Sequence, residues 1–92
     1  MKIKITRTFE KAARKLHRRE ITAVEDEIDK IAKNPAIGEI KKGDLASVYV
    51  HKFRLNNQLV LLAYLYHDPE NEITLLSLGS HENFYRDLKR KI

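Results

Sequence analysis

The chain has 92 residues and carries 18 Lys and Arg against 13 Asp and Glu, a formal charge of +5. That length suits one domain with one modest core, so residues 1–92 are read as a single domain. Cysteine is absent, which excludes a disulfide framework and a thiol nucleophile. No apolar run approaches a membrane span, and the charged start at Met1–Ile5 is not a signal peptide. A cytoplasmic protein with no membrane partner is expected.

Lys2 to Ile5 alternates polar and apolar residues and reads as a short strand with Ile3 and Ile5 on one face. Thr6 or Thr8 can cap a helix. Phe9, Ala12, Ala13 and Leu16 recur at helical spacing, and Glu10 lies in the first turn, where the macrodipole favours an acid. This helix is expected to end near residues 17–19. Ile21, Val24, Ile28, Ile31 and Ala32 mark a longer amphipathic helix. Asn34-Pro35 closes it, because proline disfavours helix at the residue before it. A helical hairpin and one bent helix both fit this pattern. Residues 35–43 read as a connector that carries Lys41 and Lys42, and everything before Gly43 reads as cover for a sheet.

That sheet lies in residues 43–85. From Ala46 onward, Ala46, Val48, Val50 and Lys52 face one way, and Ser47, Tyr49, His51 and Phe53 the other. Asn56-Asn57 signals a turn between two strands. Leu59 to Tyr66 is almost continuously apolar, as expected of a strand covered on both faces. Asp68-Pro69 is a turn, and Ile73 to Leu78 is a further strand ended by Gly79 and Ser80. Glu82 to Lys91 can form a final short helix with Phe84 and Leu88 as its packing pair. The expected fold is α+β: an N-terminal strand, a two-helix hairpin, an antiparallel three-stranded meander and a short C-terminal helix. The helices cover one face of the sheet, and the other is the expected working surface.

No HExxH, Walker A, GxGxxG or zinc-spacing motif occurs. The four histidines, His17, His51, His67 and His81, are not spaced as a metal cage, and the paired carboxylates of a two-metal nuclease are not evident. No metal and no cofactor are expected. His81 follows Gly79-Ser80 at a strand end, and an imidazole can move a proton near neutral pH. Tyr85 lies four residues on, Arg86 can meet a phosphate, and Glu82 can orient His81. The plainer reading is that Ser80 or His81 caps the last helix while Phe84 and Tyr85 pack on the sheet. Lys52 and Arg54 share a strand face and can neutralise charge on a scissile phosphate, or simply be solvated. Tyr49 and His51 can stack on bases. Two basic clusters, Arg14 to Arg19 and Arg86 to Lys91, are candidate footprints for nucleic acid or an acidic peptide, or else solvated helix faces.

The chain resembles the RelE/ParE superfamily of bacterial type II toxin–antitoxin toxins over nearly its whole length. The likeness runs from the lysine-rich first strand and Thr8-x-x-x-Ala12-x-x-x-Leu16 through Asn34-Pro35. It continues in Gly43-Asp44-Leu45-Ala46-x-x-Tyr49-x-x-Lys52-Phe53-Arg54 and Leu61-Leu62-Ala63-Tyr64. It ends in Leu76-x-Leu78-Gly79-Ser80-His81-Glu82-Asn83-Phe84-Tyr85. The resemblance implies one of two activities. RelE-like members are ribosome-dependent mRNA endonucleases (mRNA interferases) that block translation by a metal-independent 2′-hydroxyl attack. ParE-like members inhibit DNA gyrase without cleaving anything themselves. It also implies a cognate antitoxin, with operator DNA met only through the toxin–antitoxin complex.

Residue by residue, the resemblance implies catalytic roles for His81, Tyr85, Lys52 and Arg54, and RNA contacts for His51 and Phe84. The Gly-Ser-His segment is similar to that of the YafQ-like mRNA interferases. Tyr49, Arg86, Lys41 and Lys42 complete the expected RNA-binding set from the residues alone. One departure stands out. RelE has an arginine on the next strand, where this chain offers Gln58, Leu59 and Val60. A purely structural or DNA-binding partner is the third reading.

Overall fold

The apolar run 59–66 becomes the middle of the sheet. In a computed structural model of the chain, residues 1–41, 43, 47–80 and 84 are described. They form β1 (Lys2–Ile5), α1 (Arg7–Arg14), α2 (Arg18–Lys33), a 3₁₀ turn (Pro35–Ile37), β2 (Glu39–Ile40), β3 (Tyr49–Leu55), β4 (Gln58–His67) and β5 (Glu72–Ser80). The strand order is β1-β5-β4-β3-β2 in one five-stranded sheet. β3, β4 and β5 are the antiparallel meander, and β1 joins β5 in parallel, with Ile3 opposite Ile73 and Ile5 opposite Leu75. The α+β class, the helical hairpin and the meander are as expected. The C-terminal helix lies outside the described residues.

Local chemistry explains the element ends. Thr6 is the cap of α1: its hydroxyl oxygen accepts from the Phe9 N–H at 3.2 Å. The same oxygen lies 2.9 Å from the carbonyl oxygens of both Leu75 and Leu76, which ties the helix start to β5. α1 ends at Arg14, earlier than the expected 17–19, and Lys15 to His17 form a break. The two helices are therefore a hairpin and not one bent rod. Glu20 fixes the start of α2 by accepting from the His17 N–H at 3.0 Å. At the other hairpin, Asn56 and Asn57 have φ of 53° and 65°, and Leu55 pairs with Gln58. Two left-handed residues make the primed turn whose twist matches the strands.

Two expectations are corrected. The connector before Gly43 is not merely cover, because Glu39 and Ile40 pair with Val50 and Tyr49 as an edge strand. The face left by the helices is not wholly open either. Helices and sheet enclose one apolar cluster, in which Ile31, Leu62 and Leu75 are 0% exposed. Burial of that kind contributes roughly 1.5–3 kcal/mol per side chain. A second cluster lies on the opposite face, where Phe84, 5% exposed, packs with Val48, Val50, Leu61 and Ala63.

Candidate nucleic-acid interface

The period of two along β3 separates the expected site residues onto opposite faces of the sheet. Val48, Val50, Lys52 and Arg54 alternate onto the face away from the helices, with the two valines under Phe84 and the two cations exposed. Lys52 and Arg54 lie two residues apart, about 7 Å along the strand. Lys52 has no hydrogen bond or ion pair among the described residues. Arg54 leans to the turn, where its Nη1 donates to the Asn57 carbonyl at 3.4 Å.

Register carries this end of β3 across to β5. Lys52 pairs with Leu61, and Leu61 pairs with Gly79. Two strand spacings, roughly 10 Å, thus separate Lys52 from Gly79. β5 ends at Ser80, opposite Val60 and one row from Arg54. The strand that immediately precedes His81 therefore finishes level with the two exposed cations, with β4 between them. His81, Tyr85, Arg86 and Lys42 themselves lie outside the described residues.

Four members of the expected RNA-binding set make contacts within the protein. Tyr49 faces the helices and stacks on Tyr64, with ring centroids 5.3 Å apart and planes 12° from parallel. His51 is 9% exposed; its Nε2 lies 2.7 Å from Glu27 Oε1, and its ring stacks on Phe53. Phe84 is buried in the second cluster. His51 and Phe84 are buried, and Tyr49 is partly buried. Lys41 Nζ lies 3.2 Å from Glu39 Oε1 with its side chain mostly covered.

The acidic row of α2 joins helix to sheet, a role not expected from the sequence. Glu20 and Glu27 lie two helical turns apart and therefore share a face. Glu27 holds His51 of β3, and Glu20 Oε2 accepts from Asn56 Nδ2 at 3.0 Å in the β3–β4 turn. Burial pushes the Glu27 carboxyl up, but its bonds to His51 and Lys30 and the Lys30 charge outweigh burial, and the net value lies below the ordinary 4.5. The spacing of seven between two acids on an amphipathic helix was the available signal. Among the described residues no three His, Asp or Glu side chains converge as metal ligands would, and no helix is long and apolar enough to cross a membrane.

The architecture is that of small bacterial toxins. A chain of the RelBE2 toxin–antitoxin complex from Mycobacterium tuberculosis superposes with a TM-score of 0.76 at 18% identity, covering 87% of this chain and 96% of that one. The isolated Escherichia coli RelE toxin gives 0.69 at 18% identity, with 99% and 98% covered. The YoeB/ParE toxin from Agrobacterium tumefaciens gives 0.71 at 18% identity, with 88% and 99% covered. At these identities the likeness is one of fold. No curated protein sequence matches the chain. Residues 3–89 match the family model of ParE-like toxins of type II bacterial toxin–antitoxin systems, and the chain belongs to that family.

Proposed function

We propose that this toxin is a metal-independent endoribonuclease that cuts mRNA at the ribosome and so halts translation in the cytoplasm. The observation that carries the reading is the pair of exposed cations, Lys52 and Arg54, one row from the strand end that leads into His81. In this chemistry the 2′-oxygen attacks the adjacent phosphorus while the bond to the 5′-oxygen breaks. The products are a 2′,3′-cyclic phosphate and a 5′-hydroxyl. His81 takes the 2′-hydroxyl proton as base or gives a proton to the departing 5′-oxygen as acid. Tyr85 positions the ribose or assists that transfer. Lys52 and Arg54 stabilise the charge that grows on the phosphorane oxygens. The Gly79-Ser80-His81 segment favours the histidine-using branch of the superfamily, similar to the YafQ-like nucleases.

The proposed protein partner is a cognate antitoxin, as in the RelBE complexes that share the fold. Operator DNA would be met only through that complex. A second reading, a non-enzymatic gyrase inhibitor, is favoured by one observation: Gln58, Leu59 and Val60 stand where RelE carries a further arginine. The matching family is also described as ParE-like. Incubating the purified toxin with ribosomes on a defined message, with the message alone, and with gyrase and relaxed plasmid separates the readings. Cleavage of ribosome-bound message without loss of supercoiling supports the nuclease. Blocked supercoiling with intact message overturns it.

A further inference from the structure

The break between α1 and α2 carries cations whose placement the fold does not explain. Lys15, Arg18 and Arg19 are all exposed. None of the three has an ion-pair partner among the described residues, whereas Arg14 beside them pairs with Glu10 at 2.8 Å. Lys15 suits the C-terminal end of α1, where the macrodipole favours a cation. Arg18 and Arg19 do not suit their position. They are the first two residues of α2, the end at which the macrodipole favours acids. Glu20, next in sequence, is committed to the His17 N–H and to Asn56. A local rule broken without an internal gain points to an external partner, and here that partner is an anion.

The position of this corner names the anion. The Glu20–Asn56 bond pins the start of α2 to the β3–β4 turn. The other side of the same turn holds Arg54 through the Asn57 carbonyl. The start of α2, which carries Arg18 and Arg19, is thus held to one side of the turn, and Arg54 is held to the other. We propose that Lys15, Arg18 and Arg19 form a second RNA-backbone contact, across the β3–β4 turn from Lys52 and Arg54, that grips phosphates flanking the cleaved bond. This rests on the nuclease reading above and assigns the corner to affinity. The phosphates belong to the message or to ribosomal RNA.

The test uses full-length toxin and a 2′-O-methyl oligonucleotide, which cannot be cut because the attacking hydroxyl is blocked. Affinity is measured against salt, with the oligonucleotide free and with it bound to ribosomes. Each lost phosphate contact lowers the salt slope on single-stranded RNA by about 0.7, so the Arg18→Gln/Arg19→Gln variant is expected to lose about 1.4. Loss with free oligonucleotide identifies the message as the source, and loss only on ribosomes identifies ribosomal RNA. The Arg18→Lys/Arg19→Lys variant keeps the charge and is expected to keep the slope. It also guards against misfolding, as does thermal melting, in which the Gln pair is expected to melt no lower than wild type.

An unchanged slope in both settings overturns the inference, as does a loss seen only with duplex DNA. Cleavage by wild type together with an unchanged slope in the Gln variant sinks this inference alone. Slope loss in a wild type that never cleaves leaves the contact standing and sinks the nuclease.

Discussion

Glu27 Oε1 of α2 lies 2.7 Å from His51 Nε2 of β3, and both side chains are largely withdrawn from water, at 16% and 11% exposure. The bond joins the helical layer to the strand whose other face carries Lys52 and Arg54. Because the folded Glu27 carboxyl titrates below its ordinary 4.5, its ionisation stabilises the fold above that pH. That contribution is lost as pH falls through the folded value. Glu27→Ala is expected to cost about 1–3 kcal/mol at pH 7, since it strands His51 in a buried setting. Glu27→Gln should cost less and flatten the loss of stability below about pH 4.5. Urea melts of the three proteins between pH 3 and 7 check both statements.

Gly38 is held by a space requirement. The Tyr64 hydroxyl accepts from the Gly38 N–H at 3.0 Å and donates to the Pro35 carbonyl at 2.6 Å. A Cβ on Gly38 would stand 2.8 Å from that oxygen. Tyr64 is 0% exposed and stacked on Tyr49, so it has nowhere to retreat. Gly38→Ala is expected to destabilise by about 1–3 kcal/mol through overpacking. Tyr64→Phe is expected to cost about 1–2 kcal/mol through two unpaired backbone groups. In the double variant the losses should fall somewhat short of additive, because Phe removes the 2.8 Å contact with the hydroxyl but keeps the ring carbons at 3.0 and 3.2 Å. Thermal melts of the two single variants and the double check all three statements.

The Asn56-Asn57 turn allows an improvement. With φ of 65° at its second position, Asn57→Gly places the residue best suited to a left-handed site and is expected to be neutral or stabilising. Asn57→Ala is expected to cost about 1 kcal/mol, since a Cβ is disfavoured there. Thermal melts that ranked Ala above Gly would contradict the turn geometry.

Much of this architecture is legible in the residues, for reasons that differ by element. The Thr6 cap, the Asn34-Pro35 stop and the Asn56-Asn57 turn are local chemistry, and each sits where expected. β4 announces itself because both of its faces are covered. β2 does not, since two residues carry no period. The parallel pairing of β1 with β5 joins Ile3 to Ile73, and no pattern within either strand encodes a partner 70 positions away. At the candidate site, the alternation along β3 correctly groups Lys52 with Val50 and His51 with Tyr49. Which group faces the helices depends on α2, and the acids that decide it, Glu20 and Glu27, read simply as a polar helix face. Phe84 illustrates the same limit: an aromatic near the C-terminus fits a base or a core equally well until Val48, Val50, Leu61 and Ala63 are seen beneath it.

Lys52 and Arg54 are exposed, and their removal should leave stability within about 0.5 kcal/mol. If they stabilise the phosphorane, Lys52→Ala and Arg54→Ala are each expected to lower the cleavage rate on ribosome-bound message about 10²–10³-fold. Rates equal to wild type in both would remove these two cations from the chemistry.

The nuclease reading stands or falls on primer extension of cellular mRNA after expression of wild type and His81→Ala. Wild type is expected to give discrete stops within translated messages. A folded His81→Ala protein is expected to lose them, by about 10²–10⁴-fold in rate, together with relief of growth arrest. Growth arrest undiminished in folded His81→Ala, with no message cleaved by either protein, would contradict the nuclease and leave gyrase as the target.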